Sequence, residues 1–424
     1  MYVSASRAAD AAAGTVRSLR RPGGTARRAV AGNVVALGLV SLITDVSAEM
    51  VTAVLPLYLV VGLGMSPLAF GALDGVHQGA SALFRLVGAY GADRTQRRKL
   101  VAGAGYALSA GCKLALLAAA TPWAIGAVLA ADRTGKGLRT APRDALISLS
   151  SPPDGQGRAF GVHRAMDTAG ALLGPLVAFA VLWAVSDGYD AVFVVSFCAA
   201  ALGVLLLALF VRDIRTPRPR PPGGLPPSAV RALRTLARTS GLPRLCLAAA
   251  LLGLVTVSDA FLYLLLQQRL DLPTAYFPLL PIGTAAAFLL LAVPMGRAAD
   301  RAGRMRVFLA GHGVLLIAYL LVLAPWPSAL AAAVCVLVLL GAFYAATDGV
   351  LMAAAGPLLP EHLRTSGLAL VQTAQALARF AGSVLFGAAW MYLGPGGAVT
   401  AAAAGLAAAV ITVAVLNKGA PHER

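Results

Sequence analysis

The segment DAVFVVSFCAAALGVLLLALFV at residues 190–211, followed by RDIRTPRPRPPGGLPPSAVRALRTLARTSGLP at 212–243, decides how this chain is read. After Asp190 the first part carries no charge, and a helix needs about 20 apolar residues to cross a hydrocarbon core roughly 30 Å thick. It shows no alternation of polar and apolar residues, so it does not read as a strand of an outer-membrane barrel. The second part cannot enter a bilayer. Its Pro/Gly/Arg-rich first half reads as a flexible spacer, and its second half as a basic amphipathic helix lying on the inner leaflet. Working outward from this junction, six apolar runs precede it and six follow.

The predicted spans are 33–61, 67–91, 99–119, 122–147, 159–184 and 190–211, then 244–267, 276–297, 306–324, 328–353, 365–392 and 396–417. Composition agrees with an all-α membrane protein: 58% of the 424 residues are hydrophobic and only 12% are charged, less charge than a soluble surface of this size needs. The formal charge of +17 could suggest a nucleic-acid partner, but its distribution argues for a lipid bilayer and against nucleic acid. The even-numbered spans up to the tenth are followed by Arg94, Arg97, Arg98 and Lys99, by Arg143 and Arg158, by Arg212 through Arg238, by Arg301, Arg304 and Arg306, and by Arg364. The intervening connections lack Lys and Arg, except for Arg269 after span 7. By the positive-inside rule both termini are then cytoplasmic, in a bacterial inner membrane. The expected organisation is a basic tail (1–32), an N-terminal six-helix bundle (33–211), the linker (212–243), a C-terminal six-helix bundle (244–417) and a short tail (418–424). Cys112, Cys198, Cys246 and Cys335 stand apart in apolar runs without CxxC or Cys/His spacing, so reduced thiols, no metal and no cofactor are expected.

Two basic turns echo each other across the halves. Gly296-Arg-Ala-Ala-Asp300-Arg301-Ala-Gly303-Arg304 resembles the GxxADRxGR turn of the major facilitator superfamily, and Gly91-Ala-Asp93-Arg94-Thr-Gln-Arg97-Arg98 is similar to it, with Ala89 and Gln96 where glycines are usual. Gly170-x-x-x-Gly174-Pro175 resembles part of the helix-5 motif of that superfamily's proton-driven exporters, with Ala178-Phe179 in place of its trailing glycines. The string DRTGKGLRTAPRDAL at 132–146 resembles a bacterial subgroup of it. The resemblance implies a twelve-helix transporter, inclined towards export of drugs or metabolites. It also implies that Asp93, Arg94, Arg97, Asp300, Arg301 and Arg304 gate by locking one arrangement of the two bundles. Electrostatics is compatible with that role, since a carboxylate favours a helix amino end and arginines anchor at an anionic leaflet. Simple topology-setting charge is the alternative.

The chemistry lies in ionisable residues at membrane depth, each costing at least about 2.5–3.5 kcal/mol to place there. They fall at helical spacing, so each set shares a face. Asp45 and Glu49 in span 1 are four apart, and such a pair favours taking up one proton. A fixed ion pair with Arg133 or Lys136 is the competing reading. Span 2 offers Asp74, His77, Gln78, Ser81 and Arg85; span 4 offers Asp132, Arg133, Lys136, Arg139 and Arg143; span 5 offers His163, Arg164 and Asp167. The C-terminal half offers Ser258, Asp259, Tyr263, Gln267, Asp348, Gln372, Gln375 and Arg379. Proton coupling is expected at Asp45, Glu49 and Asp132. The substrate cavity is expected at Asp74, His77, Arg85, Arg133, Lys136, Arg164, Asp167, Asp259, Tyr263, Gln372, Gln375 and Arg379. Arg139, Arg143 and Asp348 are expected near the inner end as gates. Asp132 could instead be neutralised locally by Lys136.

No GxxxxGK[ST] phosphate loop occurs, which argues against ATP-driven transport by this chain, and no Ser/His/Asp or zinc-type set suggests an enzyme. The expected activity is alternating access by a monomer, exchanging protons for outward movement of a small organic solute. The alternatives are a facilitator or importer of a cationic or metal-containing solute and, more remotely, an intramembrane enzyme.

Overall fold

Apolar runs in a solvent that cannot satisfy backbone polar groups fold as helices, because only then is each N–H and C=O paired within its own segment. The computed structural model describes residues 32–77, 97–151, 156–185, 188–214, 239, 241–325, 328–348, 350–355, 358–359 and 364–418, and among them there is no strand. Helix α1 (Gly32–Leu57) runs into a π turn at Tyr58–Gly62, and helical residues 67–77 form α2. There follow α3 (Arg98–Ala118), α4 (Pro122–Leu149), α5 (Gln156–Ala184), α6 (Tyr189–Phe210), α7 (Leu242–Val255) and α8 (Asp259–Leu270). A 3-10 turn at Thr274–Leu279 leads to α9 (Leu280–Ala302), α10 (Arg304–Leu323), α11 (Ala329–Thr347), α12 (Val350–Ala355) and α13 (Arg364–Lys418).

Among the described residues, nine helical segments are long and apolar enough to cross a membrane. Helix α4, at 28 residues, is long enough too but carries a stripe of charge. The 55-residue α13 holds two predicted spans, separated at Gly394 with φ +73°, a conformation that favours glycine; Pro395 follows it. Exposed Trp123, Trp183 and Tyr392 sit near helix ends, where amphipathic rings favour a membrane interface.

Two predicted spans are broken. Span 7 parts into α7 and α8 at Thr256–Ser258, where the freed Val257 N–H donates to the Tyr319 hydroxyl at 2.7 Å and Ser258 caps α8. Span 10 parts after α11, whose C-cap, Asp348, has extended backbone. The predicted turn at 296–304 is also narrower than expected: α9 runs through Asp300 and Arg301 to Ala302, and Gly303 alone, at φ +100°, makes the corner.

Helix α1 packs on α5 and α6, and α3 on α4 and α6; later in the chain α7 packs on α13, α9 on α11, and α10 on α11 and α13. Close approach explains the Gly170/Gly174 pair. A Cβ on Gly170 would lie 2.3 Å from the Leu42 carbonyl oxygen, and one on Gly174 would lie 2.8 Å from that of Val46. The two glycines therefore let α5 touch the backbone of α1. Among the described residues, the earlier and later groups of helices meet through aromatic rings and glycines. Tyr276 meets Phe179 and Trp183 at ring-centroid distances of 5.7 and 5.8 Å, and Phe70 meets Phe261 at 4.7 Å. Gly71 and Gly387 bring α2 and α13 backbone to backbone.

Candidate substrate cavity and its charge network

The two helix breaks and α1 enclose a cavity of about 430 Å³, within the size range of small-molecule sites. From α1 come Glu49 and Thr52, and from its π turn Leu59; from α2, Phe70, Asp74 and His77; from the first break and α8, Ser258, Asp259 and Tyr263. The opposite wall is Phe277, Thr284 and Phe288, with Tyr344 and Asp348 from α11 and its cap. Each break ends a helix beside the cavity and leaves an acidic residue there, Asp259 at the first and Asp348 at the second.

The polar groups are held in place. The Tyr344 hydroxyl lies 2.9 Å from both oxygens of Asp259, and Ser383 donates to Asp74 at 2.6 Å. The Tyr263 hydroxyl donates to Thr284 at 2.9 Å. His77 Nδ1 is buried with no hydrogen-bond partner among the described residues. A smaller cavity of about 220 Å³ adjoins through Tyr344 and Asp348 and gathers Gln372, Gln375 and Arg379. Those three therefore share a compartment, but it is the neighbouring one. Asp348, read from the sequence as a gate, lines both cavities.

The stripe on α4 is a ladder of ion pairs to three other helices, because residues 132, 136, 139 and 143 recur at the helical period. Asp132 faces α3, pairing with Lys113 and accepting from Ser109 at 2.5 Å, while Arg133 donates to its other oxygen at 2.9 Å. Lys136 reaches Glu49 of α1 at 3.9 Å, and Arg139 reaches Asp45 at 3.3 Å while lying over the Tyr106 ring at 4.5 Å. Arg143 meets Asp144 at 3.1 Å and Asp167 of α5 at 3.6 Å, and donates to Ser41 at 3.2 Å. Ser41 in turn bonds His163 at 2.9 Å, and Arg164 meets Asp167 at 3.4 Å. The Asp167 carboxyl also lies against that of Asp45.

Several sequence expectations change on this geometry. Asp45 and Glu49 share a face but have different partners, so they do not act on one another as a closed pair. Asp132 is engaged by two cations and a hydroxyl and lies off the cavity wall, and the Asp132–Lys136 pair does not form. Arg133 turns to Asp132 and not to α1; with Lys136, Arg164 and Asp167 it belongs to the ladder and not to the lining of the large cavity. Arg139 and Arg143, expected as gates, are buried partners in the same ladder. Asp300 and Arg304 form an exposed pair at 3.9 Å, with Arg301 exposed between them. Arg97 precedes α3, while Arg85, Asp93 and Arg94 lie outside the described residues. Lys113 and Tyr344 were not anticipated. Lys113 had a usable signal as an ammonium in an otherwise apolar span; Tyr344 had none. Cys198 and Cys335 are exposed on the helix surfaces, and Cys112 is buried.

A family model described as Major Facilitator Superfamily matches residues 37–383. An uncharacterized MFS-type transporter of Methanocaldococcus jannaschii is 29% identical over 379 residues, covering 86% of this chain and 89% of that protein. The crystal structure of nucleoside transporter NupG superposes with a TM-score of 0.77 at 13% identity, over 92% of this chain and 100% of that one. The peptide transporter POT does so with a TM-score of 0.73 at 15% identity, over 92% and 95%. At such identities the two structures bear on fold alone.

Proposed function

Because this chain belongs to the Major Facilitator Superfamily, we propose that it is a secondary active transporter that exchanges protons for a small organic solute by alternating access. It is a multi-pass membrane protein with the transporter fold. We read it as twelve spans in two six-helix bundles (33–211 and 244–417) joined by the 212–243 linker, with both termini on the cytoplasmic side of a bacterial inner membrane and export as the direction. The observation that carries this reading is the cavity itself: carboxylates from both halves of the chain face one compartment of about 430 Å³. Charge placed at membrane depth towards a shared hollow is costly unless that hollow is wet and used.

Coupling is assigned first to Asp45. It sits where the ladder can change hands, held to α4 by Arg139 and lying against Asp167 of α5. A proton taken up there neutralises the acceptor of the α1–α4 contact and frees Arg139. Glu49, at the cavity wall and paired to Lys136, would connect that event to the cargo. Asp132, with its three partners, is assigned to holding α3 and α4 together.

A second reading has one observation in its favour. The acidic lining would also suit a facilitator or importer in which the carboxylates bind a cationic solute directly. Sealed everted vesicles containing the protein and a trapped pH dye separate the two. A panel of organic cations, anions and zwitterions is added in turn under an imposed inside-acid gradient. At least one compound is expected to release protons while it accumulates. Accumulation with no proton movement for any compound would select the facilitator.

A further inference from the structure

We infer that the cargo is an organic cation with an aromatic or otherwise flat apolar body, held in the larger cavity with its positive charge between Asp259, Asp74 and Asp348. The inference rests on the transporter reading and deepens it. Among the described residues lining that cavity there are four carboxylates (Glu49, Asp74, Asp259 and Asp348) and no Lys or Arg. The nearby cations lie behind this wall: Lys136 contacts Glu49 at 3.9 Å, and Arg379 lines the adjoining cavity with Gln372 and Gln375. Asp74 and Asp259 receive hydroxyl hydrogen bonds from Ser383 and Tyr344, and neither has an ion-pair partner within 4.0 Å among the described residues.

Carboxylates fixed by hydroxyls around an apolar hollow repel an anion and gain from a cation that replaces lost water. The rest of the lining specifies the body. Phe288 and Tyr344 are partly exposed at the same space, with Phe70, Phe277 and Tyr263 buried in its wall behind them, and ring faces attract cations when both are shielded from water. Volume sets the scale: about 430 Å³ admits a drug-sized molecule and is large for a bare metal ion or an ammonium ion.

The test uses two probes of the same shape and opposite charge, tetraphenylphosphonium and tetraphenylborate. Their equilibrium binding is measured on the full-length protein in detergent, where no translocation is needed. Saturable binding of the phosphonium and none of the borate is expected. Asp259→Asn should weaken the phosphonium about tenfold or more, and Asp348→Asn provides a second wall variant should the first fail to fold. Asp271→Asn, at an exposed left-handed cap on the far end of α8, should leave binding unchanged. Equal or preferential binding of the borate, no saturable phosphonium binding to folded protein, or indifference to both wall variants would overturn the inference. Phosphonium binding without any transmembrane movement in sealed vesicles would leave the cation site standing and sink the transporter reading. Gradient-driven movement of an anionic solute without phosphonium binding would do the reverse.

Discussion

Replacing Asp45 by Asn is expected to abolish the response of solute movement to a pH gradient while leaving the protein folded and able to bind its cargo. The side chain keeps its shape and can still accept from Arg139, so the α1–α4 contact at 3.3 Å is weakened but not emptied. What disappears is the choice between a charged and a neutral acceptor. Two opposite charges about 4 Å apart interact by on the order of 4 kcal/mol at an effective dielectric of 20. That difference between protonation states is enough to shift a two-state equilibrium by more than a hundredfold. Flux in reconstituted vesicles should therefore fall by at least about tenfold under an imposed gradient, and solute-for-solute exchange at equal pH should persist. Gradient-driven flux that survives in Asp45→Asn would move the coupling site, with Glu49 the next candidate because it alone of the ladder's carboxylates lines the large cavity.

The second large effect concerns stability. Lys113→Met removes one of the two cations on Asp132, both partners being almost completely buried, with side-chain exposures of 3% and 7%. Breaking a buried pair by deleting one member costs roughly 3–5 kcal/mol, because the remaining charge is left without its counterpart. Arg133 and Ser109 stay in place and should keep the loss near the lower end of that range. Removing both charges by Lys113→Met with Asp132→Leu should recover most of the stability, since a matched apolar pair often replaces a buried ion pair without penalty. Thermal unfolding of the two variants in detergent measures this. A double variant no more stable than the single one would mean that Asp132 serves something other than the α3–α4 contact.

The expectations that succeeded and those that failed differ in kind. A multi-pass helical fold was legible because hydrophobic runs of about 20 residues have one favourable fate in lipid, and the α4 stripe was legible because a 3.6-residue period fixes which residues share a face. Partners were not. Which cation meets Asp132 depends on how α3 crosses α4, where Gly105 and Gly135 approach so closely that a Cβ on either would lie 2.6 Å from the other's carbonyl oxygen. Lys113 lies in a different span, so no spacing along α4 points to it. The helix breaks were hidden for a similar reason. TVSD at 256–259 carries an N-cap signal in Ser258, but the apolar runs on either side read as one span; the Val257 N–H left free at the break donates to the hydroxyl of Tyr319, from α10. From the sequence, Asp259 was read as a cavity residue and Asp348 as a gate, both as polar outliers in apolar spans. Their shared position, each beside a broken helix and on one cavity, follows from tertiary packing.

The central claim is that this cavity is a wet compartment in transit between the two sides of the membrane. The most direct measurement is the reaction of a single cysteine on its wall, Thr52→Cys, with a membrane-impermeant maleimide after Cys112, Cys198, Cys246 and Cys335 have been replaced by alanine. Labelling should occur from one side of sealed vesicles at rest, become accessible from the other side when a pH gradient is imposed, and slow in the presence of tetraphenylphosphonium. A Thr52→Cys thiol that reacts from neither side in folded, membrane-embedded protein would contradict the account, because the carboxylates would then line a dry pocket and not a passage.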